Sequence, residues 1–98
     1  MTGYRKLLEA SAGTIKKEIK LLCTGAVQAE VRDFFGTDAE YKMKDSGDLT
    51  VTAELPENGK FYGWLTGMGG SVRILKPKKS AAAYRDYLKS LAKEYKGL

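Results

Sequence analysis

The side chains of this sequence that could do chemistry are few, and the first fact about them is a missing type. There is no histidine and one cysteine, Cys23. Without histidine there is no Ser–His or Cys–His pair and no histidine-ligated zinc, and a lone cysteine cannot build a multi-cysteine metal site. No metal or cofactor is expected, and the composition points away from an enzyme. What remains is cationic. Lys16 and Lys20 alternate with apolar residues in one segment, and Arg73 does so in another. On one face of a sheet these three would form a group able to receive an anionic ligand or another subunit. The plainer reading of the same positions is a solvated surface.

Cys23 closes a segment on its apolar parity, where a thiol is more often a small core side chain than a nucleophile. Tyr84, Tyr87 and Tyr95 recur at helical spacing, as packing residues or as a subunit contact. The stretch Gly25-Ala-Val-Gln-Ala-Glu-Val-Arg32 is similar to the acylphosphatase loop, in which a glycine, a Val-Gln pair and a later arginine cradle a phosphate. Here Arg32 comes one position early, Glu30 takes a neutral position, Gln28 lacks a following glycine, and Asn58, the only asparagine, lies in another loop. A hydrolase of that type is the third reading.

The 17 lysines and arginines exceed the 12 acids, for a net charge of +5. This permits contact with nucleic acid or an anionic ligand without demonstrating it. The positive charges are spread, the longest cluster being Lys76-Pro-Lys-Lys79. No apolar run approaches the ~20 residues that span a bilayer, and the N-terminus has no signal-peptide apolar region. A cytoplasmic chain with no membrane contact is expected, since one cysteine cannot form an internal disulfide.

The elements that position these residues follow from periodicity. Residues 1–13 are expected to be a linker or expression remnant, although Tyr4, Leu7 and Leu8 could begin a short helix that Ser11-Ala-Gly13 breaks. Residues 14–98 form one domain. Ile15, Ile19, Leu21 and Cys23 share one parity of a first strand. Thr24-Gly25 opens a helix with Val27, Val31, Phe34 and Phe35 on its apolar face, and Gly36 ends it. Ala39, Tyr41 and Met43 mark a second strand, Asp45-Ser-Gly-Asp48 a hairpin turn, and Leu49, Val51, Ala53 and Leu55 a third strand.

The stretch Phe61 to Pro77 follows, with the only tryptophan and four of the eleven glycines. Phe61, Trp64, Leu65 and Met68 fall at i, i+3, i+4 and i+7, the stripe of a helix with Asn58 as its cap and Trp64 as its core anchor. Gly69-Gly70 end it, and Val72 and Ile74 alternate with Arg73 and Leu75 in a fourth strand that Pro77 closes. Ser80 then caps a final helix with Tyr84, Tyr87, Leu88, Leu91 and Tyr95 as its apolar stripe. The fold class predicted is α+β: a ferredoxin-like βαββαβ antiparallel sheet with an additional C-terminal helix. One sheet face packs under the first two helices. The other has no aromatic side chain on its parity, which disfavours base stacking.

The order and spacing of several of these segments carry a resemblance. Lys20-Leu-Leu-Cys23, Val31-Arg-Asp-Phe-Phe-Gly36, Phe61-Tyr-Gly-Trp-Leu65, Met68-Gly-Gly70, Val72-Arg-Ile-Leu-Lys-Pro77 and the spaced Tyr84 and Tyr95 resemble the C-terminal extension (WCX) domain of WYL-domain transcriptional regulators. Met68 departs from it, standing where an aromatic residue is more usual. The resemblance implies a domain cut from a longer bacterial regulator, without the winged helix and WYL domain expected upstream. It implies dimer contacts and transmission of effector state to a DNA-binding domain, and hence a homodimer formed through the parent protein and an unidentified small effector. The alternative is a stand-alone small-molecule-binding domain of the same fold. Of residues that touch a ligand, only Lys16, Lys20 and Arg73 are named.

Overall fold

A computed structural model describes residues 1–97. Four α-helices and four strands follow one another along it: α1 (Gly3–Ala10), β1 (Lys16–Cys23), α2 (Gln28–Phe35), β2 (Glu40–Met43), β3 (Leu49–Pro56), α3 (Gly59–Gly67), β4 (Val72–Lys76) and α4 (Lys78–Tyr95). The strands form one antiparallel sheet in the order β2-β3-β1-β4. The class is α+β. Strand alternation does what it predicts, because successive side chains point to opposite faces. Ile19, Leu21 and Cys23 of β1 and Leu49, Val51, Ala53 and Leu55 of β3 are buried in one core with Val31 and Phe35 of α2 and Phe61 and Leu65 of α3.

The turns are made by the residues expected to make them. Gly36 stops α2 with a φ of 61°, a conformation that costs a residue with a Cβ. The hairpin between β2 and β3 closes with the Gly47 amide donating to the Lys44 carbonyl at 2.9 Å. Asn58 caps α3, its Oδ1 accepting from the Phe61 amide at 3.1 Å.

Five expectations meet a different structure. Residues 1–13, expected to be a linker, hold α1, capped by Thr2 and packed with Tyr4 and Leu7 in the core. The Tyr4 hydroxyl donates to the Glu54 carbonyl at 2.7 Å, and Arg5 grips Asp38 through Nε at 2.7 Å and Nη2 at 3.3 Å. Ile15 has the parity of the core but is 84% exposed, since the strand begins only at Lys16. A single 3-10 turn, Gly25–Val27, precedes α2, which starts at Gln28 and not at the Thr24-Gly25 pair.

Ser80 is not a cap. α4 begins two residues earlier, with Pro77 at the cap position, and the buried Ser80 hydroxyl donates to Glu57 Oε1 at 2.8 Å. Glu57 also pairs with Lys17 at 3.3 Å, so one carboxylate joins the start of α4 to β1. Finally, Trp64 is half-buried. It stacks on Phe34 at 4.3 Å between α2 and α3, while Phe35 and Phe61 are the fully buried aromatics.

Candidate binding groove

α3 is covered on two sides. Phe61 and Leu65 face the sheet, and Tyr62, one position off that stripe, turns towards α4. The Tyr62 ring lies 5.3 Å from that of Tyr84 and 4.8 Å from that of Tyr87. The Thr66 hydroxyl donates to the Tyr62 carbonyl at 2.7 Å and, with its one proton spent there, accepts from the Tyr84 hydroxyl at 2.8 Å. This cluster fixes the first half of α4 beside β4. Beyond Tyr87 the apolar stripe of α4 is open: Leu88 and Leu91 are about two-fifths exposed and Tyr95 is 73% exposed.

Between β4, the glycine-rich turn that leads into it, and α4 lies a cavity of about 480 Å³. Its floor is Val72, Ile74 and Ala81; Tyr84 and Leu88 form one wall and Gly69 and Gly70 one end. Its charged side chains are Arg73 and Arg85, and Thr66 and Tyr84 add hydroxyls. Arg85 makes a loose 3.7 Å contact with its neighbour Asp86, and both are well exposed. No Cβ would meet another atom at Gly69 or Gly70, but Gly69 has a φ of +62°, so its freedom is needed to turn the chain into β4 and not to make room. An apolar trough with two guanidiniums suits a ligand that has an apolar body and a negative charge.

The three cations named from the sequence do not meet at one point. Lys16 spends its ammonium on its own neighbourhood, donating to the Ser11 carbonyl at 3.0 Å and the Thr14 carbonyl at 3.1 Å. Lys20 lies four residues on, about 13 Å at the strand's rise. It lines a separate cavity of about 310 Å³ on the open sheet face with Lys42, Lys44, Thr50 and Leu75. Arg73 stands opposite Leu22, a diagonal neighbour of Lys20 at roughly 7–8 Å between Cα atoms, but it lines the groove instead. Thr50, on the open-face parity, is nonetheless buried, its hydroxyl donating to the Lys42 carbonyl at 3.3 Å.

The other residues considered for chemistry have structural partners. Cys23 is fully buried, and burial pushes its thiol up to about 11, so it is a protonated core side chain at neutral pH. The Arg32 guanidinium lies over the Tyr41 ring, 4.7 Å from its centroid, and the Tyr41 hydroxyl donates to the Gly36 carbonyl at 2.6 Å. That arginine braces the start of β2. Among the described residues no group of three or more histidine, cysteine, aspartate or glutamate side chains could hold a metal ion. The groove itself was missed in the sequence. Spacing makes the glycines turn formers and the tyrosines packing residues or a subunit contact, and only the tertiary structure shows that Gly69, Gly70 and Tyr84 border one space.

Among the described residues no helix is long and apolar enough to cross a membrane. No curated protein matches the chain. The model of the WCX domain family matches it over residues 16–92, from the first residue of β1 into the last turns of α4. The chain belongs to the WCX domain family.

Proposed function

We propose that this chain is a non-enzymatic regulatory and dimerisation domain of a WYL-type transcriptional regulator, relaying effector state to a DNA-binding domain elsewhere in the parent protein. The observation that carries the reading is the WCX match over residues 16–92. The site chemistry is in keeping with it. The groove beside β4 is apolar with two guanidiniums, a surface for holding something and not for activating it. The proposed fold is ferredoxin-like. Supporting this, α2 joins β1 to β2 with β3 inserted between them, and α3 joins β3 to β4 with β1 inserted between them. In a cytoplasmic homodimeric parent, effector binding would favour one arrangement of domains over another, and this domain would carry that difference through its contacts.

Size determination of the isolated domain, alone and mixed with a WYL domain, tests this. Association in either sample is the expected result. A strict monomer that ignores the WYL domain would refute the reading.

A second reading, a stand-alone small-molecule-binding domain, is favoured by the cavity of about 480 Å³. A thermal-shift screen of nucleotides and acidic metabolites separates it from the first, because a ligand that binds only the folded state raises its melting temperature.

A further inference from the structure

We infer that the groove between β4 and α4 is a peptide site that adds a strand to the sheet, taking an extended segment in which apolar and acidic residues alternate. The direction of the backbone groups of β4 carries this. The Thr24 amide donates to the Ser71 carbonyl at 2.9 Å, and the pairing continues with Cys23 opposite Val72, Leu22 opposite Arg73 and Leu21 opposite Ile74. In an antiparallel ladder, hydrogen-bonded and non-hydrogen-bonded pairs alternate. Thr24–Ser71 is a bonded pair, so Leu22–Arg73 is the next. Val72 and Ile74 therefore turn their N–H and C=O away from β1. β4 is an edge strand, with no strand beyond it among the described residues, and both residues line the cavity. Ile74 is half-buried and its N–H and C=O lie at the border of the apolar trough, whereas Val72 is 3% exposed. A guest strand therefore pairs with Ile74 first and with Val72 only as it enters between β4 and α4. A strand edge beside an apolar trough is an arrangement that recognises a peptide backbone.

The side chains around it define the peptide. Residues of an antiparallel guest that bond with Val72 and Ile74 share their face and point their side chains towards Ala81, Tyr84 and Leu88, so they are apolar. The intervening residues lie on the face of Arg73, which stands opposite Leu22 away from the core, so they are acidic. Arg85 at the rim adds a second cation on the same groove. A second copy of this chain fits worse. The register that bonds Val72 of one copy to Ile74 of another sets two Arg73 side chains opposite each other, and like charges in that position are destabilising. The site does not depend on the parent being a regulator, and a failure of the regulatory reading leaves it intact.

The test is an NMR titration of the intact chain with acetyl-Asp-Val-Asp-Val-Asp-Val-amide. Expected are downfield shifts of the Val72 and Ile74 amide protons on binding. Affinity should drop about tenfold or more when the valine amides of the peptide are N-methylated, and for Arg73→Glu, and change little when the aspartate amides are N-methylated instead. The two N-methylated peptides are compared on the unaltered protein, so the result does not rest on a variant that folds. No shift at Val72 and Ile74 at about 1 mM peptide overturns the proposal, that being weaker than a useful affinity. Equal binding of both N-methylated peptides overturns it too. So does pairing of two chains through the same amides, or the same shifts produced by decanoate while the peptide gives none.

Discussion

The two edges of the sheet are finished in different ways. β2 spans only Glu40–Met43, with the charged Glu40 and Lys42 exposed, and its one aromatic, Tyr41, is turned inward to the Gly36 carbonyl beneath Arg32. A short, charged edge of this kind resists pairing with other strands. β4 has Arg73 and Lys76 exposed as well, but a helix walls its flank, and an apolar cavity lies between the helix and the strand's unpaired side. Bare strand edges are blunted, whereas an edge beside a wall can select what pairs with it. The helical layer shows the same contrast. On the β2 side, Tyr4, Phe34, Phe35 and Trp64 form a closed aromatic cluster with centroid spacings of 4.3–5.6 Å. On the β4 side, the aromatic cluster around Tyr62 ends at Tyr87, and the rest of the α4 stripe stays open.

The sharpest way to break this comparison is a pair of truncations. Phe35→Ala removes a fully buried ring that touches three others, and by chemical denaturation should cost about 3–5 kcal/mol. Leu88→Ala, at a residue 37% exposed on the groove wall, should cost less than about 1 kcal/mol. Equal costs would make the α4 side a core and not a groove.

A smaller effect tests how α4 is anchored as that wall. Ser80→Ala removes a buried donor to Glu57 and should cost about 1–3 kcal/mol. Hydrogen exchange should then quicken in the first turns of α4 before it does in β1. Unchanged protection there would mean that the tyrosine cluster alone holds the helix.

At the other edge, Tyr41→Phe deletes the 2.6 Å hydrogen bond that braces β2 and should cost about 0.5–1.5 kcal/mol. The smallest effect is in pH. The hydrogen bond from Arg5 holds the Asp38 carboxyl below the usual carboxylate range, so its contribution is complete above about pH 3.9 and fades as pH falls through the lowered value. In acid titrations of stability, Asp38→Asn should flatten that part of the curve and leave the rest. A curve indistinguishable from that of the unaltered chain would show that the α1 latch contributes nothing measurable.

Much of the fold was legible because burial has a period. Ile19, Leu21, Cys23, Leu49, Val51, Ala53 and Leu55 are buried where alternation places them, and Gly36 and Asn58 end and begin helices as their local chemistry demands. Where reading failed, the deciding partner was far away in the chain. α1 looked like a linker because the Glu54 carbonyl that takes the Tyr4 hydroxyl is fifty residues distant. Tyr62 was off the apolar stripe because a helix with two covered sides has two stripes. Ser80 has the residue type of a cap, but its hydroxyl is held by Glu57, 23 residues away.

The same division applies to function. The order of the segments Lys20–Cys23, Val31–Gly36, Phe61–Leu65 and Val72–Pro77 was enough to point to the WCX family, since such segments keep their spacing when a core keeps its shape. Periodicity also placed Arg73 on the face away from the core. It could not show that Arg73 belongs with the groove while Lys20 belongs to another cavity, or that Lys16 is already bonded to two carbonyls. Nor could it show that β4 is an edge. An alternating strand reads the same at the middle of a sheet and at its border, because the pattern records which face a side chain takes and not which strand lies alongside. Only the tertiary pairing decides which backbone groups are left to meet a partner.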